Sequence, residues 1–448
     1  MADLGIRGGR VVLADEVRAA DVLVLAGSIV RIADPGEGGA DEEIDARGQV
    51  VLPGVVDAHV HVNEPGRADW EGWLAATRGA ARGGVTTIAD MPLNSIPPTT
   101  DEAAFEAKAA AAAASAVVDY ALWGGLVRAD ESALRALAGR GVVGVKAFLC
   151  PSGVDEFPHL DDGELVPALR AAAAAGQLVA AHCEDERTLA LAERSAGGRG
   201  DAHGWLASRP VEAEVVAIER LARSAREAGA RVHVVHVSSA DGLAAVRRAR
   251  RDGVDISAET CPHYLAFGAG DVARLGPVLK CAPPIRHGAR GGLWEEVVAD
   301  RVDYVASDHS PCARSLKEPR DGRFASAWGG VSGIQSTLAV MLSGVRERGL
   351  SLPSLAQLLA TRPAKRLGLW PRKGEIRVGA DADLVLVDLE REWTLGPDEL
   401  ETRSGLSPYL GRAFRGAVVR TLVRGRTVYA DGAVLGAPGD GWFVRSLV

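Results

Sequence analysis

Val50-Val51-Leu52-Pro53-Gly54-Val55-Val56-Asp57-Ala58-His59-Val60-His61 is the stretch that decides the fold of this 448-residue chain. Its apolar part reads as a buried strand, and it closes on two histidines spaced two apart. Side chains two apart on a strand point the same way, so His59 and His61 can hold one ion together. Further along, Lys146, His182, His236 and Asp308 stand at or just past the ends of the apolar runs 142–148, 178–183, 232–238 and 302–307. Ligands gathered at the ends of successive strands are what a barrel enzyme presents at one rim.

Helix-like stretches separate those runs. Residues 101–116 are rich in Ala with Asp101 as N-cap, and residues 165–175 form another candidate that stops at Gly176. Strand then helix, repeated over about 300 residues, predicts a (β/α)8 TIM-like barrel, whose usual size is near 250. A doubly wound sheet is the competing layout, but no GxGxxG opens a helix after a strand. Both chain ends read differently, as short β segments at 10–13, 21–25, 28–32 and 43–45, and again at 384–388, 417–420 and 427–430 with Arg424-Gly425-Arg426 as a turn. Neither set suffices for a core, so the two are expected to pair into one small β-sandwich flanking the barrel. The expected α/β organisation is therefore residues 1–51 and 373–448 for the two parts of the sandwich and 52–372 for the catalytic barrel.

Lys and Arg number 51 against 59 Asp and Glu, a net charge of −8 that supplies no basic footprint for nucleic acid. No apolar stretch reaches the roughly 18 residues of a membrane span, and Met1-Ala2-Asp3-Leu4 lacks the basic start and hydrophobic core of an export signal. A cytoplasmic protein with no nucleic-acid or membrane partner is expected. Cys150, Cys183, Cys261, Cys281 and Cys312 show no CxxC spacing, which argues against a thiolate finger or a disulfide scaffold. They read as reduced, buried small hydrophobes.

Imidazole with carboxylate suits Zn²⁺ or a similar divalent ion, although histidine also serves as a hydrogen-bonded core residue. Lys146, inside an apolar run, either reaches solvent or carries a function. Beside four histidines a desolvated neutral amine has a further option, reaction with CO2 to a carbamate, whose two oxygens could bridge two ions. Asp308 reads as a ligand that accepts a proton from bound water and passes it to a leaving nitrogen, or as a turn cap before His309-Ser310-Pro311. It would be the lone carboxylate of the site.

The whole order of these residues resembles the binuclear amidohydrolase superfamily, and within it the cyclic amidohydrolases. The opening motif stands as Pro53-Gly54-Val55-Val56-Asp57-Ala58-His59-Val60-His61, and the closing ones as Pro363-Ala364-Lys365-Arg366-Leu367-Gly368 and Gly379-Ala380-Asp381-Ala382-Asp383-Leu384. The resemblance spans essentially the full length. It implies a metal-dependent barrel with a flanking β-sandwich, His59 and His61 on one metal, His182 and His236 on the other, carboxylated Lys146 bridging both, and Asp308 ligating and shuttling protons. Two divalent ions are implied, Zn²⁺ first, with Co²⁺, Mn²⁺ or Fe²⁺ accepted by the same donors. Relatives are commonly tetramers, so a homo-oligomer is expected.

Asn63-Glu64-Pro65-Gly66-Arg67, Trp70-Glu71-Gly72, Asp90-Met91-Pro92-Leu93-Asn94-Ser95 and Ser152-Gly153-Val154-Asp155-Glu156-Phe157-Pro158 are most similar to the allantoin-hydrolysing branch. Dihydroorotases carry an arginine and a histidine, which help to hold a substrate carboxylate, where this chain has Asn63 and Cys312; neither is a cation. Dihydropyrimidinases and hydantoinases carry a tyrosine shortly after the bridging lysine, where this chain has Phe148-Leu149-Cys150-Pro151-Ser152. A neutral ring, allantoin, is the implied substrate, opened to allantoate in purine catabolism by a hydroxide held between the metals. Asn63, Asn94, Cys281 and Ser332 are the expected substrate contacts, with turn stabilisation the alternative for Asn94 and Ser332. The rivals are another cyclic amidohydrolase (hydantoinase, dihydropyrimidinase or dihydroorotase) and a non-catalytic scaffold of the same fold, which the intact ligand set disfavours.

Overall fold

The computed structural model describes residues 2–319 and 321–447, so Met1, Arg320 and Val448 lie outside the described residues. In it Gly54 cuts the apolar run of residues 50–56 in two. The first strands of the chain are β1 (Ala2–Val12), β2 (Val17–Leu25), β3 (Ser28–Ala33), β4 (Ala40–Asp45) and β5 (Val50–Pro53). The chain then passes through Gly54 into β6 (Val55–Val60), which belongs to a different sheet. A Cβ at residue 54 would stand 2.1 Å from Thr86 Oγ1, so only glycine lets the backbone slip between the two sheets here.

The parallel strands that follow are β7 (Val85–Asp90), β8 (Asp119–Leu122), β9 (Gly124–Gly125), β10 (Val145–Phe148), β11 (Leu178–His182), β12 (Arg231–Val234), β13 (Ile256–Thr260) and β14 (Tyr304–Val305). They run in the orders β6-β7-β8 and β9-β10-β11-β12-β13-β14, each strand parallel to its neighbour. The two sheets adjoin at both edges. At one, Trp123 between β8 and β9 donates to Asp90 O at 2.9 Å, and Val143 donates to Leu122 O at 3.0 Å. At the other, Val60 and His309 form a parallel bridge, and His61 donates to His309 O at 2.7 Å. Burial on both faces explains why these strands read as near-continuous apolar runs and do not alternate. The chain is thus an α/β protein built on parallel sheets with helices between the strands.

Those helices follow their local signals. Asp101 accepts from Ala104 N at 2.8 Å and caps the helix Glu102–Ser115 as expected. The helix Leu165–Ala174 ends before Gly176, which has φ +70°. In the helix Val211–Ala228, Ala213, Ala217, Ile218, Leu221, Ala222 and Ala225 form the buried stripe, at the three-to-four spacing that lays one face on the strands.

The last strands, β15 (Leu384–Thr394), β16 (Ala413–Val423), β17 (Arg426–Ala430) and β18 (Ala433–Val434), join the first five in a nine-stranded sheet among the described residues, ordered β18-β17-β16-β15-β5-β1-β2-β3 with β4 on β1. The seam is β5 against β15, antiparallel from Val50–Val387 to Pro53–Leu384. β1 runs further than residues 10–13 because β2, β4 and β5 all pair with it. Arg424 and Gly425, at φ 49° and 74°, make the two-residue turn between β16 and β17.

Candidate metal centre

His59 is the fifth residue of β6 and His61 follows its end, while Lys146 lies in β10, His182 closes β11, and His236 and Asp308 follow β12 and β14. Strand ends alone bring these six together. His59 Nε2 and His61 Nε2 are 3.3 Å apart, and Asp308 Oδ1 is 3.3 Å from the first and 3.6 Å from the second. His182 Nδ1 lies 3.1 Å from His236 Nε2, and the His59 and His236 ring centres are 5.4 Å apart. His236 and Asp308 sit at φ 39° and 45°, in the left-handed region that non-glycine residues rarely adopt and that clusters at functional sites.

Three of the four histidines have one ring nitrogen tied down, while His236 Nδ1 is buried with no hydrogen-bond partner. His59 Nδ1–H donates to Glu259 Oε1 at 2.5 Å, and His61 Nδ1–H donates to Leu93 O at 2.8 Å, which turns both Nε2 lone pairs inward. His182 Nε2–H donates to Glu184 Oε2 at 2.9 Å and presents Nδ1. Burial pushes the pKa of His59, of His182 and, most strongly, of His236 down, so the neutral, metal-ligating form is favoured. Burial would raise that of Asp308, but the His59 and His61 imidazoles beside it hold it down to about 2. Three acceptors, two lone pairs and a carboxylate, therefore face one another at 3.3–3.6 Å. That arrangement suits a cation.

Lys146 Nζ is buried with no hydrogen-bond partner and lies 5.1 Å from the centre of the Phe148 ring. Burial lowers its pKa to about 8, against the opposing pull of Asp308 and Glu259. An orphaned amine of that kind, beside imidazoles and a carboxylate, fits the donor set of a bridged two-ion site.

A cavity of about 370 Å³ opens over these groups. Asn94 and Cys281 line it; Asn63 and Ser332 do not. Asn63, buried, donates to Pro311 O at 2.9 Å and accepts from Asn94 Nδ2 at 3.1 Å, so both ends of its amide are used in orienting neighbours. Ser332 offers its carbonyl to Ser407 Oγ at 2.8 Å. Cys312 is buried off the cavity.

Asp308 is not the lone carboxylate. Glu259 takes His59 on Oε1 and His233 on Oε2 at 3.1 Å, and Glu184 takes His182 and Arg209. Sequence reasoning missed both, yet Glu259 sits inside the fully buried strand Ile256–Thr260 and Glu184 two residues past a ligand candidate; a carboxylate in an apolar strand was the available signal. Arg209 and Lys280, also missed, line the cavity, but their charge is engaged. Arg209 pairs with Glu184, and Lys280 Nζ donates to Ala325 O at 2.7 Å and Ala327 O at 2.6 Å.

Comparison with known proteins places this geometry in a lineage. The model of the Amidohydrolase family matches residues 50–428. An allantoinase of Rubrobacter xylanophilus is 49% identical over 447 residues, covering 99% of this chain and 97% of that protein. Allantoinases of Solibacter usitatus and Escherichia coli are 48% and 41% identical over 96% and 95% of the chain, and over 94% and 95% of their own lengths. Among solved structures, the L-hydantoinase (dihydropyrimidinase) of Arthrobacter aurescens superimposes with a TM-score of 0.96 at 35% identity, covering 99% of this chain and 100% of that one.

Proposed function

The chain belongs to the amidohydrolase family, and from that premise we propose that it is an enzyme that hydrolyses the hydantoin ring of allantoin to allantoate, a step of purine catabolism. The observation that carries this reading is the facing of His59, His61 and Asp308 at 3.3–3.6 Å, beside His182, His236 and an unpartnered Lys146 Nζ, under a cavity whose other described lysine and arginine, Lys280 and Arg209, are engaged. The near full-length similarity to allantoinases supports the ring assignment.

His59, His61 and Asp308 would hold one divalent ion and His182 and His236 a second, with Lys146, as its CO2-derived carbamate, reaching both. Zn²⁺ is the first choice, and Co²⁺, Mn²⁺ or Fe²⁺ suit the same donors. When bound, the ions acidify a water and polarise the ring carbonyl. The protein's own part is positional and protolytic. Asp308, kept ionised, takes the proton of the attacking water and returns it to the departing ring nitrogen. Asn94 and the chain around Cys281 orient the ring from the cavity wall. Asn63 acts through its hydrogen bond with Asn94, and Ser332 through the loop it closes with Ser407. Phe148, stacked on His182 with centres 4.9 Å apart, gives the cavity an apolar side.

Two consequences are open to measurement. Purified enzyme loaded with Zn²⁺, Co²⁺ or Mn²⁺ should open allantoin in preference to hydantoin, dihydrouracil and dihydroorotate; preference for another ring would keep the chemistry and discard the substrate. Glu259→Ala should weaken metal retention by about 10–100-fold, read from metal content after dialysis against a chelator, because His59 loses the acceptor that fixes its ring.

The same reading extends to architecture. With β8 and β9 taken as one interrupted strand, the parallel strands number eight, and the bonds at Trp123 and His309 support their closure into a (β/α)8 barrel over residues 52–372. The pairing of β5 with β15 supports a flanking β-sandwich drawn from residues 1–51 and 373–448. No described helix is long and apolar enough to cross a membrane. A cytoplasmic homotetramer completes the proposal, and sedimentation of the purified protein tests its assembly.

A further inference from the structure

Among the described residues, five lysines are buried: Lys108, Lys146, Lys280, Lys317 and Lys373. A lysine is rarely buried unless a carboxylate takes its charge. Asp90 does so for Lys108 at 2.6 Å, Asp119, Asp381 and Asp383 do so for Lys373, and Lys146 belongs to the centre above. Lys280 and Lys317 have no such partner among the described residues; their ammonium groups are spent on backbone carbonyls. Lys317 Nζ donates to Trp328 O at 2.9 Å and Gly330 O at 2.6 Å, and Lys280 Nζ donates to Ala325 O at 2.7 Å and Ala327 O at 2.6 Å. All four acceptors lie in one stretch, residues 325–330, every one of which lines the cavity over the centre. Lys280 also sits 4.1 Å from the centre of the Trp205 ring, another part of the cavity wall, whereas Lys317 does not line the cavity itself.

We propose that Lys280 and Lys317 are positioning residues whose ammonium groups, donating to backbone carbonyls alone, hold residues 325–330 in the shape that receives the substrate, so that loss of their charge slackens the cavity wall and weakens substrate binding. A charged donor holds a carbonyl about twice as strongly as a neutral one. Burial lowers the pKa of both amines to about 8; for Lys280 the charges of Lys317 and Arg209 push the same way, and for Lys317 the Cys312 and Cys281 thiols oppose it. Arg209 is itself paired with Glu184, and burial keeps both thiols protonated. Below the pKa of about 8 both ammoniums are charged and the wall is held; as pH rises through that value the clamp weakens. A neutral amine keeps two N–H donors but not the charge behind them. The effect on substrate rests on the catalytic reading above; the clamp itself does not.

The test measures KM and kcat for allantoin on the metal-loaded enzyme from neutrality to well above the lysine pKa of about 8, together with deuterium uptake by the peptides that cover residues 316–331. The parent's KM should rise by ~5-fold or more across that range, the difference between one charged and one neutral hydrogen bond. Lys317→Met should raise KM at neutral pH by ~10-fold or more, since two carbonyls lose their donor, with kcat within a few-fold. It should also move the remaining alkaline rise to higher pH, because Lys280 no longer feels the Lys317 charge. Lys317→Arg stays charged throughout, so it should bring KM at neutral pH back toward the parent and leave the rise in place. A Met variant that binds like the parent, an Arg variant no better than Met, or an alkaline rise that Lys317→Met leaves unmoved overturns the proposal. Should the Lys317 variants fold poorly, Lys280→Met and Lys280→Arg are read by the same order of KM. Deuterium uptake is read without substrate and should increase over residues 325–330 in Lys317→Met but not in Lys317→Arg. Unchanged uptake overturns the clamp, whereas increased uptake without allantoin turnover in the parent counts against the substrate reading alone.

Discussion

Asp308→Asn is expected to lower kcat on allantoin by ~10²–10⁴-fold, the range a positioned general acid–base group supplies, while the folded structure persists. Asn is nearly the same shape, but its amide cannot accept the proton that the carboxylate, held ionised near His59 and His61, is placed to take. The backbone at residue 308 stays at φ 45°, which Asn tolerates better than most residues, so circular dichroism and the thermal midpoint should change little. Metal content measured alongside separates a lost proton carrier from a lost ligand. If the variant binds two ions per chain and still turns over within a few-fold of the parent, Asp308 has been given the wrong role.

Lys146→Ala is expected to be more severe, removing detectable turnover together with at least one of two bound ions. The reasoning starts from the amine. Only a neutral amine attacks CO2, and lowering the pKa from 10.5 to about 8 raises the neutral fraction near neutrality by more than ~100-fold. Burial without a partner is the main cause, and it also makes an ordinary ammonium there costly. On the proposed reading the carbamate would be the favoured form, an anion where a cation would repel metal. Parent enzyme stripped of metal and CO2 should regain activity on adding divalent ion only with bicarbonate present, faster as pH rises toward 8 because more of the amine is then neutral. In Lys146→Ala, a small carboxylate such as acetate should restore part of the activity by entering the space the side chain leaves. Full reactivation of the parent without bicarbonate would mean that Lys146 carries no carbamate.

Much of the candidate centre was legible because its signals are local. The HxH spacing, the lysine inside an apolar run and the placement of His182, His236 and Asp308 at run ends all survive in the folded chain as strand-end geometry. The turn at Arg424-Gly425 and the cap at Asp101 were read the same way. Less legible was the division at Gly54, since a run of apolar residues does not reveal that its two halves join different sheets; the cause is the side chain of Thr86, more than thirty positions away. The substrate side was read least well. Asn63 and Ser332 look like contacts from motif position, yet the Asn63 amide is spent on Pro311 and Asn94, and Ser332, its carbonyl bonded to Ser407, does not line the cavity.

By itself, then, the sequence determined which side chains are the candidate ligands and which strands present them, because donor chemistry and the two-residue repeat of a strand are properties of a residue and its immediate neighbours. Tertiary structure alone decided which nitrogens of His59 and His182 face inward and which buried carboxylates hold them there. Glu259 meets His59 across 200 residues of chain, and Glu184 is held by Arg209, 25 residues on. Contacts of that kind exist only once the strands are side by side, so no reading of local pattern contains them.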